Sequence, residues 1–198
     1  MTTEAIEPIN PSRAALLVMD YQNGIIGMVE NGDELVPITR NLIRTFREHG
    51  GTVGYVRVAF ADEDFVGVPE TSGMLAMVPE ERRAMFHADS PTTQIHESLA
   101  PQEGDIVVRK KRVGAFSTTD LHEQLQARGI DTLVLVGIST GGCVHSTVLD
   151  AFDRDYRILV VRDACADREL EVHNFLFDHV FNKRGTVVEV RELHALLH

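Results

Sequence analysis

Apolar positions along the chain fall into two alternating spacings. Short, nearly continuous apolar runs predict strands: Ala14 to Met19 (AALLVM), Thr52 to Phe60 (TVGYVRVAF), Asp105 to Val108, Thr132 to Gly137 (TLVLVG), Arg157 to Val161, and Thr186 to Val190 as a sixth. Continuous apolar character is what a strand buried on both faces requires. Helical spacing occupies the segments between. Asp33 to His49 carries Leu35, Ile38, Leu42, Ile43 and Phe46 and stops at Gly50 and Gly51. Thr118 to Arg128 carries Leu121 and Leu125, with Thr118 or Thr119 as the cap, and Cys143 to Phe152 puts Val144, Thr147, Val148, Ala151 and Phe152 on one face. Alternating strands and helices imply parallel crossover units, hence a three-layer α/β sandwich. Ala61 to Gln94 breaks the rhythm: it is long and mixes acidic residues with Met74, Met77, Met85, Pro69, Gly73 and Pro79. It reads equally as a surface excursion with one short helix or as a lid or pocket wall.

Length and charge narrow the picture. The 198 residues, 43% hydrophobic and 25% charged, suit one domain spanning 1–198. A net charge of -11 repels phosphate backbones and argues against nucleic acid as a partner. Met1 to Arg13 contains no apolar targeting stretch, and no apolar run is long enough to cross a membrane, so a membrane partner is not expected. Two cysteines, Cys143 and Cys165, form neither a C-x-x-C pair nor a disulfide framework, and a reducing cytoplasm is the expected location. No G-x-G-x-x-G, P-loop, G-x-S-x-G or H-E-x-x-H motif is present, which points away from nucleotide cofactors, a serine elbow and a zinc helix.

Ligands of open parallel sheets bind beyond the carboxyl ends of the strands. Three chemistry-bearing residues fall there: Asp20 after AALLVM, Lys110 after DIVVR, and Cys143 after TLVLVG and a glycine-rich turn. Cys143 opens a helix, where unpaired N–H groups and the helix dipole favour a thiolate and can hold an oxyanion. Packing would equally explain a small free cysteine. Asp20 could equally end a strand and open a turn, and Lys110 lies in a basic run, Arg109 to Arg112, that could be a solvated face. Cys165 has no such setting and reads as structural. His145 is two residues from Cys143, a helical spacing that turns the side chains apart.

Taken together, ALLVMDYQNGI, VVRKKRVGAFSTTDLHEQL and GISTGGCVHSTVLDAFDRDYRILVVRDACAD resemble the isochorismatase-like cysteine hydrolase superfamily over roughly residues 14 to 190. In the second segment a lysine stands six residues before the Phe of a small-Ala-Phe triplet, which gives Lys110 from Phe116, with Arg112 two further on. The resemblance implies a Rossmann-like, six-stranded parallel sheet with helices on both faces, and a homo-oligomer, dimer or tetramer. It implies a catalytic triad of Asp20, Lys110 and Cys143, a cis peptide at Ile138–Ser139, and an oxyanion hole from the backbone N–H groups of Ser139 and Cys143. Gln22, Phe60 and Thr140 are the candidate substrate-binding residues. Nicotinamidases of this family carry a D-x-H…H metal site after the second strand. The corresponding VRVAFADEDF has no histidine, so no metal and no other cofactor is expected. Isochorismatases proper lack the cysteine, and the turn GISTGGCV is most similar to those of N-carbamoyl amino-acid amidases and streptothricin hydrolases. The resemblance therefore implies cleavage of an amide-type C–N bond of a small molecule through a thioester. Vinyl ether hydrolysis and a catalytically silent binding protein remain the alternatives.

Overall fold

The apolar runs form six strands: β1 Ala14–Met19, β2 Thr52–Val58, β3 Ile106–Lys110, β4 Thr132–Ile138, β5 Arg157–Ala166 and β6 Thr186–Val188. All neighbouring pairs are parallel, in the order β3-β2-β1-β4-β5-β6. The order reverses between β1 and β4, where an open sheet leaves a crevice at its carboxyl edge. This computed structural model describes residues 6 to 197; Met1 to Ala5, where the reading of the N-terminal segment begins, and His198 lie outside the described residues.

Among the described residues eight α-helices accompany the sheet: α1 Asn23–Ile26, α2 Gly32–Glu48, α3 Gly73–Met77, α4 Arg83–Phe86, α5 Leu121–Ala127, α6 His145–Asp153, α7 Leu170–His179 and α8 Val190–Leu196. The twofold alternation of a strand sends successive side chains to opposite layers. Ala14, Leu16 and Val18 join one core with Leu35, Leu42 and Phe46 of α2 and Leu193 of α8. Ala15, Leu17 and Met19 join the other with Leu121 and Leu125 of α5, Val148 of α6, and Leu176 and Phe177 of α7. Each such leucine or phenylalanine contributes about 1.5–3 kcal/mol by leaving water.

Several boundaries differ from the sequence reading, and pairing explains them. β3 runs to Lys110 because Arg109 and Lys110 register against Arg57 and Val58 of β2, whatever their polarity. β5 continues to Ala166 because Cys165 and Ala166 pair with Gly137 and Ile138 beyond an irregularity in the ladder. α7 has no counterpart in the sequence reading. Leu170 and Phe175 lie exposed on it while His173 is buried, which blurs its apolar stripe. The start of α5 also differs: Thr119 Oγ1 accepts the Leu121 N–H at 3.3 Å, whereas Thr118 accepts from Lys111 instead.

The excursion from Ala61 to Gln94 holds α3, α4 and three single 3-10 turns rather than one short helix. It is stitched back to the sheet by backbone: Phe60 N–H donates to Phe86 O at 2.9 Å and Ala88 N–H to Phe60 O at 2.8 Å.

Two glycines near the carboxyl edge offer a controlled test of this packing. A Cβ at Gly32 would lie 2.0 Å from the Ile26 carbonyl oxygen, whereas one at Gly27 meets nothing within 4 Å. Urea unfolding should show Gly32→Ala destabilised by about 1–3 kcal/mol, an overpacking cost. Gly27→Ala should stay within about 0.5 kcal/mol of the parent. Equal midpoints for the two variants would contradict this packing.

Candidate active site

Asp20 follows β1 with φ 57°, a left-handed turn that aspartate tolerates better than most residues. Its N–H donates to Val56 O at 2.8 Å, continuing the ladder one step while the side chain turns inward. Lys110 ends β3, two strands away, and reaches back beneath the loop that follows it. Its Nζ lies 2.7 Å from Asp20 Oδ2 and donates to Val113 O at 2.5 Å. The two residues are only 4% and 2% exposed, so this is an ion pair removed from water. Burial raises the Asp20 carboxyl above its ordinary value, although the ammonium pulls the other way. Burial alone would lower the Lys110 pKa; Asp20 and Cys143 beside it outweigh that and raise it. Asp20 Oδ1 is buried without a hydrogen-bond partner among the described residues.

The basic run is divided by strand alternation. Lys110 points inward, while Arg109 Nη1 and Lys111 Nζ each lie 2.7 Å from a different oxygen of Asp64. Asp64 also accepts the Ala61 N–H at 2.9 Å. Burial opposes its ionisation, but the hydrogen bonds from Ala61, Lys111 and Arg109 prevail and hold its carboxyl at about 2. Asp64 thus neutralises the two cations flanking Lys110 and fastens the start of the excursion to the end of β3. Arg112 is the exposed member of the run, donating to Lys111 O at 2.7 Å.

Cys143 sits in a π-helical turn, Thr140–Val144, between β4 and α6. The peptide bond Ile138–Ser139 is cis. Ser139 O accepts from Gly142 N–H and from Val144 N–H, both at 3.3 Å, which draws the turn tight around the cysteine. The glycines belong to this geometry: a Cβ at Gly137 would lie 3.1 Å from Met19 O, and one at Gly142 2.7 Å from Ser139 Oγ. The thiol is 3% exposed and donates to Ile138 O at 3.4 Å.

Its ionisation differs from the sequence expectation of a favoured thiolate. Burial, and then the charge of Asp20, raise the thiol well above its ordinary value; Lys110 opposes them without prevailing. Burial and the Asp20 charge thus favour the thiol over the thiolate at this position. Cys143 is also no more accessible than Cys165, which is 5% exposed, carries a thiol pushed up to about 12 by burial, and stands inside β5.

The candidate substrate contacts are placed differently from expectation. Gln22 is wholly buried, and its amide clamps backbone: Nε2 donates to Val58 O at 2.8 Å and to Thr93 O at 2.6 Å, while Oε1 accepts from Val58 N–H at 2.8 Å. That amide holds the Asp20 loop, β2 and the excursion together, and no N–H of it is left for a ligand. Thr140 is likewise wholly buried, with its hydroxyl 2.8 Å from His173 Nδ1. Phe60 is 3% exposed and packs on Phe65 at 5.2 Å between ring centroids, a wall of the excursion. Asp64, Asp167 and His173 escaped sequence reading because their partners are distant in the chain. Among the described residues no three His, Cys, Asp or Glu side chains are grouped to hold a metal ion, and no helix is long and apolar enough to cross a membrane.

Residues 14–192 match the isochorismatase domain. The chain is similar to maleamate amidohydrolase of Pseudomonas putida, 32% identical over 168 residues that cover 85% of this chain and 73% of that protein. Among solved structures it is similar to an isochorismatase family protein from Burkholderia thailandensis, with a TM-score of 0.84 and 30% identity, covering 98% and 99% of the two chains. It is similar also to N-carbamoylsarcosine amidase from Thermoplasma acidophilum, with a TM-score of 0.73 and 29% identity over 90% of this chain and 96% of that one.

Removing one partner of the buried pair strands the other. Lys110→Met should lose on the order of 3–5 kcal/mol in urea unfolding, because Asp20 is left uncompensated. The double variant Asp20→Asn, Lys110→Met should recover much of that loss, and a double variant no more stable than the single one would contradict the pairing. The raised thiol makes a second prediction. Alkylation of Cys143 by iodoacetamide should go on accelerating above pH 9, beyond the range of a free thiol near 8.5. A plateau reached below pH 8 would show instead a stabilised thiolate.

Proposed function

This chain belongs to the isochorismatase family, and on that premise we propose that it is a cysteine hydrolase cleaving an amide-type C–N bond of a small molecule. The observation that carries the proposal is the unpartnered, buried Asp20 Oδ1 beside a protonated Cys143 thiol, with Lys110 locked on the other carboxylate oxygen. An oxygen so placed next to the thiol is suited to take and return its proton. Burial gives the Asp20 carboxylate a higher affinity for that proton than an exposed carboxylate has.

Asp20 takes the Cys143 proton as sulfur attacks the carbonyl carbon. The developing oxyanion is received by the backbone N–H groups of Ser139 and Cys143 at the start of the turn, with Lys110 adding positive charge. The tetrahedral adduct collapses, the C–N bond breaks, and ammonia or an amine leaves with the proton from Asp20. Water, deprotonated by Asp20, then attacks the thioester, and the thiol is restored with the acid as product. Every group in the cycle belongs to the chain, and no metal or cofactor enters it. Two of the similar proteins are named for maleamate and N-carbamoylsarcosine, and a primary amide or carbamoyl group fits the same chemistry here. A cyclic amide is the other member of the class.

A panel of carbamoyl compounds, primary amides and lactams, read by ammonia or amine release, tests this. Turnover should fall by about 10³-fold or more in Cys143→Ala, as expected for loss of a nucleophile. Cys165→Ala should retain activity, as should enzyme dialysed against a strong chelator. Comparable ammonia or amine release by Cys143→Ala would refute the thioester route.

A further inference from the structure

The nucleophile turn begins without a cap of its own. Ser139 holds the N-cap position and makes no side-chain capping bond. A helix start normally satisfies some of its free N–H groups through such a side chain. Here the cap comes from the neighbouring strand. Asp167, the residue after β5, accepts the Gly141 N–H on Oδ2 at 2.6 Å, and its Oδ1 accepts the Glu169 N–H at 3.2 Å. The approach is close: a Cβ on Gly141 would lie 2.9 Å from Val172 Cγ1 and 3.2 Å from Asp167 Oδ2. On the other side of Gly141's peptide, Thr140 is tied to His173 of α7.

We propose that Asp167 is a positioning residue for the oxyanion-binding turn. It takes the N–H of Gly141, which the oxyanion does not use, and thereby fixes the plane of the Thr140–Gly141 peptide between Ser139 and Cys143. On this proposal, holding that peptide keeps the N–H groups of Ser139 and Cys143 directed at the oxyanion. This inference rests on the cysteine-hydrolase reading. It concerns how the donors are aimed, and leaves the identity of the nucleophile to that reading.

Two reactions of the same sulfur separate aim from nucleophilicity. Iodoacetamide alkylates the sulfur by displacing iodide, and no oxyanion forms. p-Nitrophenyl acetate acylates it through a tetrahedral oxyanion and releases p-nitrophenolate, leaving an acetyl thioester. Both rates are followed at Cys143 on the intact chain, with Cys143→Ala as the blank. In Asp167→Ala, acylation should fall at least about tenfold while alkylation stays within about twofold, since misdirected oxyanion donors slow only the first reaction. Asp167→Asn, which keeps an acceptor for the Gly141 N–H, should remain within about threefold of the parent in both. Unchanged acylation in Asp167→Ala, an equal fall in both rates, or an asparagine variant as impaired as alanine overturns the inference. Failure of the parent to be acylated at Cys143 removes the hydrolase reading, and this inference with it.

Discussion

A carboxylate and an ammonium in contact, almost closed off from water, constrain everything around them. Neither Asp20 nor Lys110 could be buried alone, because an unpaired charge inside a protein is costly. The pair therefore demands that a residue after β1 and a residue at the end of β3 meet across β2. It also concentrates positive charge at that edge, since Lys110 lies between Arg109 and Lys111. Asp64 answers this with one carboxylate for both flanking cations, and so the excursion is tied to the site. Gln22 fastens the same corner from the other side, bridging the Asp20 loop to β2 and to Thr93.

The same burial governs the thiol. A cysteine at the start of a helix beside an ammonium would ionise readily in an open cleft. In this protein, desolvation and the Asp20 charge outweigh the ammonium and push the thiol up, away from ionisation. The dipole of the turn is then available for an oxyanion rather than engaged by a thiolate. In the proposed mechanism, proton transfer to Asp20 then accompanies carbon–sulfur bond formation. The reversal of strand order between β1 and β4 sets Asp20 and Cys143 after adjacent strands at the carboxyl edge.

Strands were legible in the sequence wherever burial on both faces demanded unbroken apolar runs, as in AALLVM and TLVLVG. Boundaries set by pairing were not: β3 reaches Lys110 and β5 reaches Ala166 through residues whose polarity gives no sign of it. Asp20, Lys110 and Cys143 could be placed at strand ends from spacing and resemblance. Their protonation could not, because it depends on how completely the surroundings exclude water. Gln22 and Thr140 stand beside the triad in sequence and suggest substrate contacts, yet their polar groups are engaged by Val58, Thr93 and His173, residues far along the chain. Helix α7 was hidden by Leu170 and Phe175 on its outer side.

Covalent attack by Cys143 is tested most directly by trapping the bond it would form. Enzyme turning over a primary amide or carbamoyl compound is quenched in acid within the first cycles and analysed by mass spectrometry. An acyl adduct is expected on the peptide containing Cys143, removed by hydroxylamine as a thioester is and missing from Cys143→Ala. Full turnover by Cys143→Ala, or an adduct on Cys165 with none on Cys143, would contradict it.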